Sequence, residues 1–249
     1  MSRDERALQA GLSDPAIPAP LAHGELTILG LMPNSSNYTF LAKAETSEGS
    51  VLTIYKPRRG EIPLWDFPDG TLAQREVAAY VVARALGWPK VPPTILRDGP
   101  EGIGSAQLFV AFDPEEHYFT LQESHVDTFR DVALFDAAIN NADRKGGHCL
   151  LSEDGSIFVI DHGVCFNEED KLRTVIWDHA GEPIDAGRLE DLARLAAALD
   201  DLVDPIRLEL EALLSSEEID ALRGRLDSLV ADRRYPQPGP GRPYPWPPV

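Results

Sequence analysis

The sequence predicts an α+β fold in two lobes. Short β-branched segments separated by turn-rich stretches fill roughly the first 110 residues, with one helical pattern among them. From Val126 onward, apolar residues recur at helical spacing, interrupted by one hairpin. A chain of 249 residues can bury roughly 70–75% of its extended surface, enough for one large domain or two small lobes. The expected divisions are a lead-in at 1–21, an N-lobe at 22–113, a C-lobe at 114–234 and a proline-rich tail at 235–249. A hinge is expected around Phe112–Glu116.

The elements follow in order. ELTILGL (25–31), YTFLAKAE (38–45) and VLTIYK (51–56) read as strands, with turns at PNSSN and TSEGS. TLAQREVAAYVVARAL (71–86) reads as a helix. Thr71 and Gln74 have capping-box spacing, and Gly87 stands where a C-terminal cap belongs. Strands are expected at 94–97 and 105–112, and a helix from about Val126 to Asn140. CLL and SIFVI flank SEDG as a tight hairpin. From Arg188 to about Arg233 the pattern is helical, broken at Pro205 and restarted by Ser215 with Glu218. Asp14–Pro20 is proline-broken, and seven of the last fifteen residues are proline. That tail reads as unstructured, as a polyproline ligand for a protein partner, or as an arm packing Tyr244 and Trp246 on the body.

Composition excludes several functions. The formal net charge of −18 argues against a nucleic-acid polymer and against docking on an anionic membrane. One small anion, such as a nucleotide, needs only a local positive site. No apolar run approaches the ~20 residues of a membrane span. The charged N-terminus shows no signal-peptide pattern. Two cysteines, Cys149 and Cys165, exclude a disulfide scaffold and point to a reducing cytoplasm. Both read as small buried hydrophobes.

The chemistry concentrates in NNADRKGGHCLLSEDGSIFVIDHG, 140–163. Asp143 stands at a helix-to-loop passage, with His148 five residues on. The hairpin then returns Asp161 beside the loop that holds Asp143. Carboxylates gathered this way repel and lose water unless they share a cation or a proton. A hard divalent cation resolves the conflict. Alternatively, Asp143 pairs with Arg144, and Asp161 is a turn residue before Gly163. In VLTIYK, alternation puts Leu52, Ile54 and Lys56 on one face, expected to be the core face. A buried ammonium needs an acid, and Glu76 on the following helix is the candidate; otherwise Lys56 snorkels into water. PNSSN offers hydroxyls and backbone N–H groups for an anion-binding nest, or is a plain turn.

This order resembles the protein-kinase-like superfold: strand–turn–strand, strand-end lysine, helix glutamate, hinge, a D-R loop and a hairpin ending I-D-x-G. It is most similar to the phosphatidylinositol 3-/4-kinase-like branch and to a bacterial family related to it, over roughly residues 22–180. DRKGGH resembles that branch's DRHxxN loop, and IDHG its D-x-G metal motif. The resemblance implies that Lys56 holds the ATP phosphates and pairs with Glu76. It implies that Asp143 orients or deprotonates the attacking hydroxyl, and that Asp161 binds Mg²⁺ or Mn²⁺. Ser35 and Ser36 would lie over the phosphates, and the backbone near Phe112 would meet adenine. Two departures stand out. His148 replaces a metal-binding Asn, so the metal preference differs, His148 touches phosphate, or the second metal is missing. The phosphate loop also lacks glycine.

The function implied is an ATP- and metal-dependent phosphotransferase acting on a small-molecule or protein hydroxyl. Alternatives are a nucleotide-binding pseudokinase or a nucleotidyl (AMP) transferase. A metal-dependent hydrolase built on His148, Asp161, His162 and His179 lacks the usual H-E-x-x-H spacing. Lys171, Arg173 and Trp177 lie where a substrate-binding segment belongs. Trp177 either stacks a ligand or anchors its loop.

Overall fold

A computed structural model describes residues 3–10, 12, 14–33 and 37–249. Two short helices, α1 (Arg3–Ala7) and α2 (Ala19–His23), precede strands β1 (Glu25–Leu31), β2 (Phe40–Thr46) and β3 (Gly49–Pro57). Helix α3 (Leu72–Leu86) is followed by β4 (Thr94–Arg97) and β5 (Gly104–Leu108). These strands form one antiparallel sheet in the order β1-β2-β3-β5-β4. Tyr55 and Lys56 pair with Ala106 and Ser105, which fixes which way Lys56 points. The second half comprises α4 (Tyr118–Leu121), α5 (Val126–Ile139), the hairpin β6 (Cys149–Leu151) and β7 (Ile157–Val159), then α6 (Ala186–Asp200), α7 (Pro205–Leu213) and α8 (Ser216–Asp232).

Local chemistry explains most boundaries. Pro205 opens α7, with the Asp204 carboxylate capping Ile206 N–H. Ser215 and Glu218 form the capping box their spacing predicts. Gly87 takes the left-handed conformation (φ 84°) that ends α3. Its start differs from expectation. Thr71 turns its hydroxyl to the Pro68 carbonyl at 2.7 Å, and Glu61 caps the helix instead, accepting from Leu72 and Ala73 N–H at 3.2 and 2.9 Å. A carboxylate from a preceding loop suits the positive end of a helix. Strand β5 is also shorter than its apolar run: it stops at Leu108, and the chain crosses to the second lobe, where Phe112 bridges Ser152.

Both ends of the chain are more ordered than their prolines suggest. Ala7, Ala10, Ile17 and Leu21 are buried, α2 packs on β2 and β3, and α1 packs on α7. At the C-terminus the tail is extended and docked. Pro245 is buried, while Tyr244 and Trp246 are exposed, the reverse of the arm that is one of the three readings of the tail.

One core runs through both lobes, from Val77 and Ile95 to Leu134, Leu195 and Leu222. Helix α3 is its spine. Arg75, almost fully buried, ion-pairs with Glu218 of α8, donates to the Cys165 carbonyl at 2.6 Å and lies over the Phe67 ring. Cys149 and Cys165 are buried, and burial pushes the Cys149 thiol up to about 12, as their reading as hydrophobes requires.

The loop after α5 is fixed by a second buried pair. Arg144 reaches both oxygens of Asp136 on α5 at 2.9 Å and donates to the Ile160 carbonyl at 2.9 Å. Both side chains are fully buried. Arg144 therefore ties the loop to the hairpin rather than to Asp143. Asp136→Ala would strand the guanidinium in the core and should cost about 3–5 kcal/mol of unfolding free energy in denaturant titrations; a loss under about 1 kcal/mol would contradict this account of the loop.

Candidate active site

Lys56 enters the cleft on a different face from the one expected. Thr53 and Tyr55 are fully buried, whereas Leu52 is 41% exposed. The packed face is Thr53–Tyr55, with Tyr55 against Leu26 and Ala42 beneath α2. Alternation correctly groups Leu52, Ile54 and Lys56, but that face looks onto the interlobe cavity, which Ile54 and Lys56 line.

There the Lys56 ammonium ion-pairs with Glu76 on α3 and with Asp161 Oδ1 at 2.9 Å. The other Glu76 oxygen accepts from His162 N–H at 2.9 Å. Burial works against the ammonium, yet Asp161 and Glu76 outweigh it and hold Lys56 above the ordinary lysine range. Conversely, the Lys56 charge holds Asp161 well below the usual carboxylate range, against burial. Asp161 also adopts a left-handed backbone (φ 63°), where non-glycine residues are uncommon and persist when their surroundings dictate it. The surroundings are the hairpin and its pairing: Val159 N–H donates to Lys90 O at 2.9 Å, and Ile160 N–H to His148 O at 3.0 Å.

Asp143 stands on the Arg144-anchored loop, its N–H capped by Asn141 Oδ1 at 3.0 Å. Lys145 Nζ lies 3.2 Å from its carboxylate. Burial raises the Asp143 pKa, with Lys145 opposing. His148 Nε2 is 3.3 Å from Asp161 Oδ2, and its Nδ1 accepts from Lys145 N–H at 3.4 Å. Burial pushes the ring down to about 4, so it is neutral at pH 7.

These groups line one end of a cavity of about 420 Å³. Met32, Ile54, Leu108, Phe109, Phe112 and Leu150 line the apolar remainder. A charged end beside an apolar slot suits a ligand with a flat ring and a charged tail, an anionic one only with a cation to offset the three carboxylates. Phe112 lies at the rim, 37% exposed. Ser35 and Ser36 lie outside the described residues; their neighbours Pro33 and Asn37 line the cavity.

Lys56, Glu76, Asp143, His148 and Asp161 thus share one cleft, whereas the hydrolase set does not assemble. His162 is fully buried, its Nε2 2.7 Å from Arg144 and its ring against Phe135. His179 packs near Tyr235 and Glu182. Among the described residues, no three His, Cys, Asp or Glu side chains form a metal cluster. Trp177 donates its indole N–H to the Pro243 carbonyl of the C-terminal tail at 3.2 Å. Sequence reasoning does not assign Lys145 or Glu61; only Lys145 carries a signal, standing two residues from Asp143 in the same loop.

No family model matches the chain. Protein Rv2133c of Mycobacterium tuberculosis is 43% identical over 264 aligned positions, covering 92% of this chain and 94% of that protein. Phosphatidylinositol 4-kinase gamma 4 of Oryza sativa is 32% identical over 136 positions, and its Arabidopsis thaliana counterpart 30% over 160. The matches cover 46% and 53% of this chain but only 24% and 28% of those proteins, so the chain spans about a quarter of their length. The Helicobacter pylori proinflammatory kinase CtkA superposes with a TM-score of 0.51 over 86% of this chain and 94% of its own, at 14% identity. The two-lobed architecture is therefore the fold of a kinase, and the chain belongs to the family of Rv2133c.

Proposed function

We propose that this protein is an ATP- and metal-dependent phosphotransferase acting on a small-molecule or protein hydroxyl. The observation that carries the reading is the convergence of Lys56, Glu76 and Asp161 across the cleft. The three charges of this triad sum to −1, which suits a divalent cation, and with that cation bound the Lys56 ammonium suits phosphate oxygens as a point charge.

Each residue has a separable role. Lys56 holds the nucleotide phosphates, and Glu76 fixes Lys56, itself pinned by His162 N–H. Asp143 orients the acceptor hydroxyl and takes its proton. Burial raises its proton affinity, and Lys145 limits the rise. In such transfers, positioning and charge neutralisation do most of the work.

Mg²⁺ or Mn²⁺ fits Asp161, which is ionised and 47% exposed toward the cleft. Mg²⁺ sites are often completed by one or two carboxylates, substrate phosphates and water, so a three-residue cluster is not needed. Bound there, the ion would neutralise phosphate charge. His148 joins it only if its proton moves from Nε2 to Nδ1, breaking the long 3.4 Å bond from Lys145 N–H. A lipid acceptor is disfavoured by the acidic surface, and among the described residues no helix is long and apolar enough to cross a membrane. The His148-for-Asn departure favours, as a second reading, nucleotide binding without transfer.

Three outcomes are expected. Wild-type protein should gain thermal stability with ATP plus Mg²⁺ or Mn²⁺, and should transfer label from γ- but not α-labelled ATP. Asp161→Ala should lose the metal-dependent shift, whereas Asp143→Asn should keep it and lose turnover by about 10²-fold or more; a folded Asp161→Ala that binds normally, or a fully active Asp143→Asn, contradicts the assignment. His148→Asn should move preference from Mn²⁺ towards Mg²⁺, and an unchanged metal profile removes His148 from the metal site.

A further inference from the structure

A prolyl residue has no N–H, so a proline-rich segment offers its neighbours mainly carbonyl oxygens. The C-terminal tail meets a surface that supplies the matching donors. Thr174 N–H donates to Pro243 O at 3.0 Å, and Trp177 Nε1–H to the same oxygen at 3.2 Å. Gly146 N–H donates to Pro248 O at 2.8 Å. Pro245 is buried between these anchors. An indole N–H that donates to a proline carbonyl is a recurrent device for gripping extended proline-rich peptides.

The surface lies beside the proposed chemistry. Residues 173–175 pair along their other edge with the Asp143 loop: Arg144 N–H donates to Arg173 O at 3.0 Å, and Val175 N–H to Arg144 O at 3.1 Å. The tail therefore lies along the opposite edge of a segment already hydrogen-bonded to that loop. A Cβ on Gly146 would meet the Phe119 ring first, at 2.9 Å, with Pro248 O 3.5 Å away, and one on Gly147 would come 3.8 Å from the Val249 side chain. Gly147 also lines the cleft cavity.

The tail is built in two parts. Its base is fixed: Tyr235 is buried and pairs in both directions with Gly181 and Glu182, at 3.0 Å each. Residues 237–242, which include two glycines, are exposed. The docked part, 243–249, can thus leave without disturbing the base. Its last five residues, PWPPV, which approach the Asp143 loop, carry no hydroxyl, so that stretch cannot accept phosphate.

We propose that the strip formed by Gly146–Gly147 and residues 173–177 is a docking groove for an extended, proline-containing polypeptide, and that residues 243–249 occupy it in cis as a displaceable plug. The groove stands on the docking contacts alone. That its trans occupant is the phosphoacceptor rests on the phosphotransfer reading, and makes a protein hydroxyl the acceptor class.

The test uses the full-length chain and a fluorescein-labelled peptide of residues 241–249, followed by anisotropy. In wild type the tethered plug competes at an effective concentration on the order of millimolar, so labelled peptide should bind weakly. Full-length Pro245→Asp should release the plug and bind the peptide at least about tenfold more tightly, and adding Trp177→Phe should weaken that binding severalfold. A folded Pro245→Asp that binds no better than wild type overturns the proposal and makes the tail a fixed strap. Should that variant fail to fold, amide exchange of the unsubstituted chain decides. The Gly146 and Thr174 amides should exchange through local opening, at least about tenfold faster than the Leu134 amide in α5; exchange only through global unfolding overturns the plug. Neither readout needs ATP turnover, so failure of the phosphotransfer reading would leave the groove standing, and loss of the groove would leave phosphotransfer untouched.

Discussion

The ion triad of Lys56, Glu76 and Asp161 is the constraint on which the remaining architecture depends. One ammonium from the sheet lobe meets one acid from α3 and one from the hairpin of the helical lobe. Glu76 is almost fully buried, and without its partners its charge would be destabilising there. The triad therefore couples sheet, helix and hairpin, and leaves Asp161 ionised at the mouth of an apolar slot. The left-handed backbone of Asp161 is consistent with a position dictated by its neighbours rather than by local preference.

Two buried arginines support this geometry from behind. Arg75 ties α3 to α8 and to the segment after the hairpin, so the helix carrying Glu76 is fixed against the helical lobe. Arg144 ties α5 to the Asp143 loop and, through Ile160 O, to the residue before Asp161. Guanidinium suits such junctions because its planar fork can satisfy a carboxylate and a carbonyl at once. The shared core makes the back of the cleft continuous, while the front stays open. Similarity to Rv2133c extends over 92% of this chain, well beyond the residues of the cleft.

Much of the fold is legible in the sequence because local signals agree with tertiary demands. β1 matches its apolar run residue for residue, and α7 and α8 begin where proline and the capping box place them. Lys56 stands out in the sequence, but with the faces of β3 exchanged. Alternation sorts residues into two sets without saying which faces protein, and here the cleft takes the set containing Leu52 and Ile54. The Thr71 cap fails because Glu61, ten residues earlier, outcompetes it from a loop that has no periodicity. The tail misleads for a related reason. Proline composition excludes helix and inner strand, but it does not exclude an extended chain held through its carbonyls. Glu76, Asp143, His148 and Asp161 are recognisable from motif spacing; Arg75 and Lys145 gain meaning only once their partners are seen.

The most direct measurement is a crystal structure of the chain with a non-hydrolysable ATP analogue and Mn²⁺. The account predicts phosphates within hydrogen-bond reach of Lys56, an anomalous Mn²⁺ peak on the Asp161 carboxylate, and the adenine in the slot beside Phe112. An analogue bound elsewhere, with the Lys56 and Asp161 side chains untouched by ligand or metal, would contradict it.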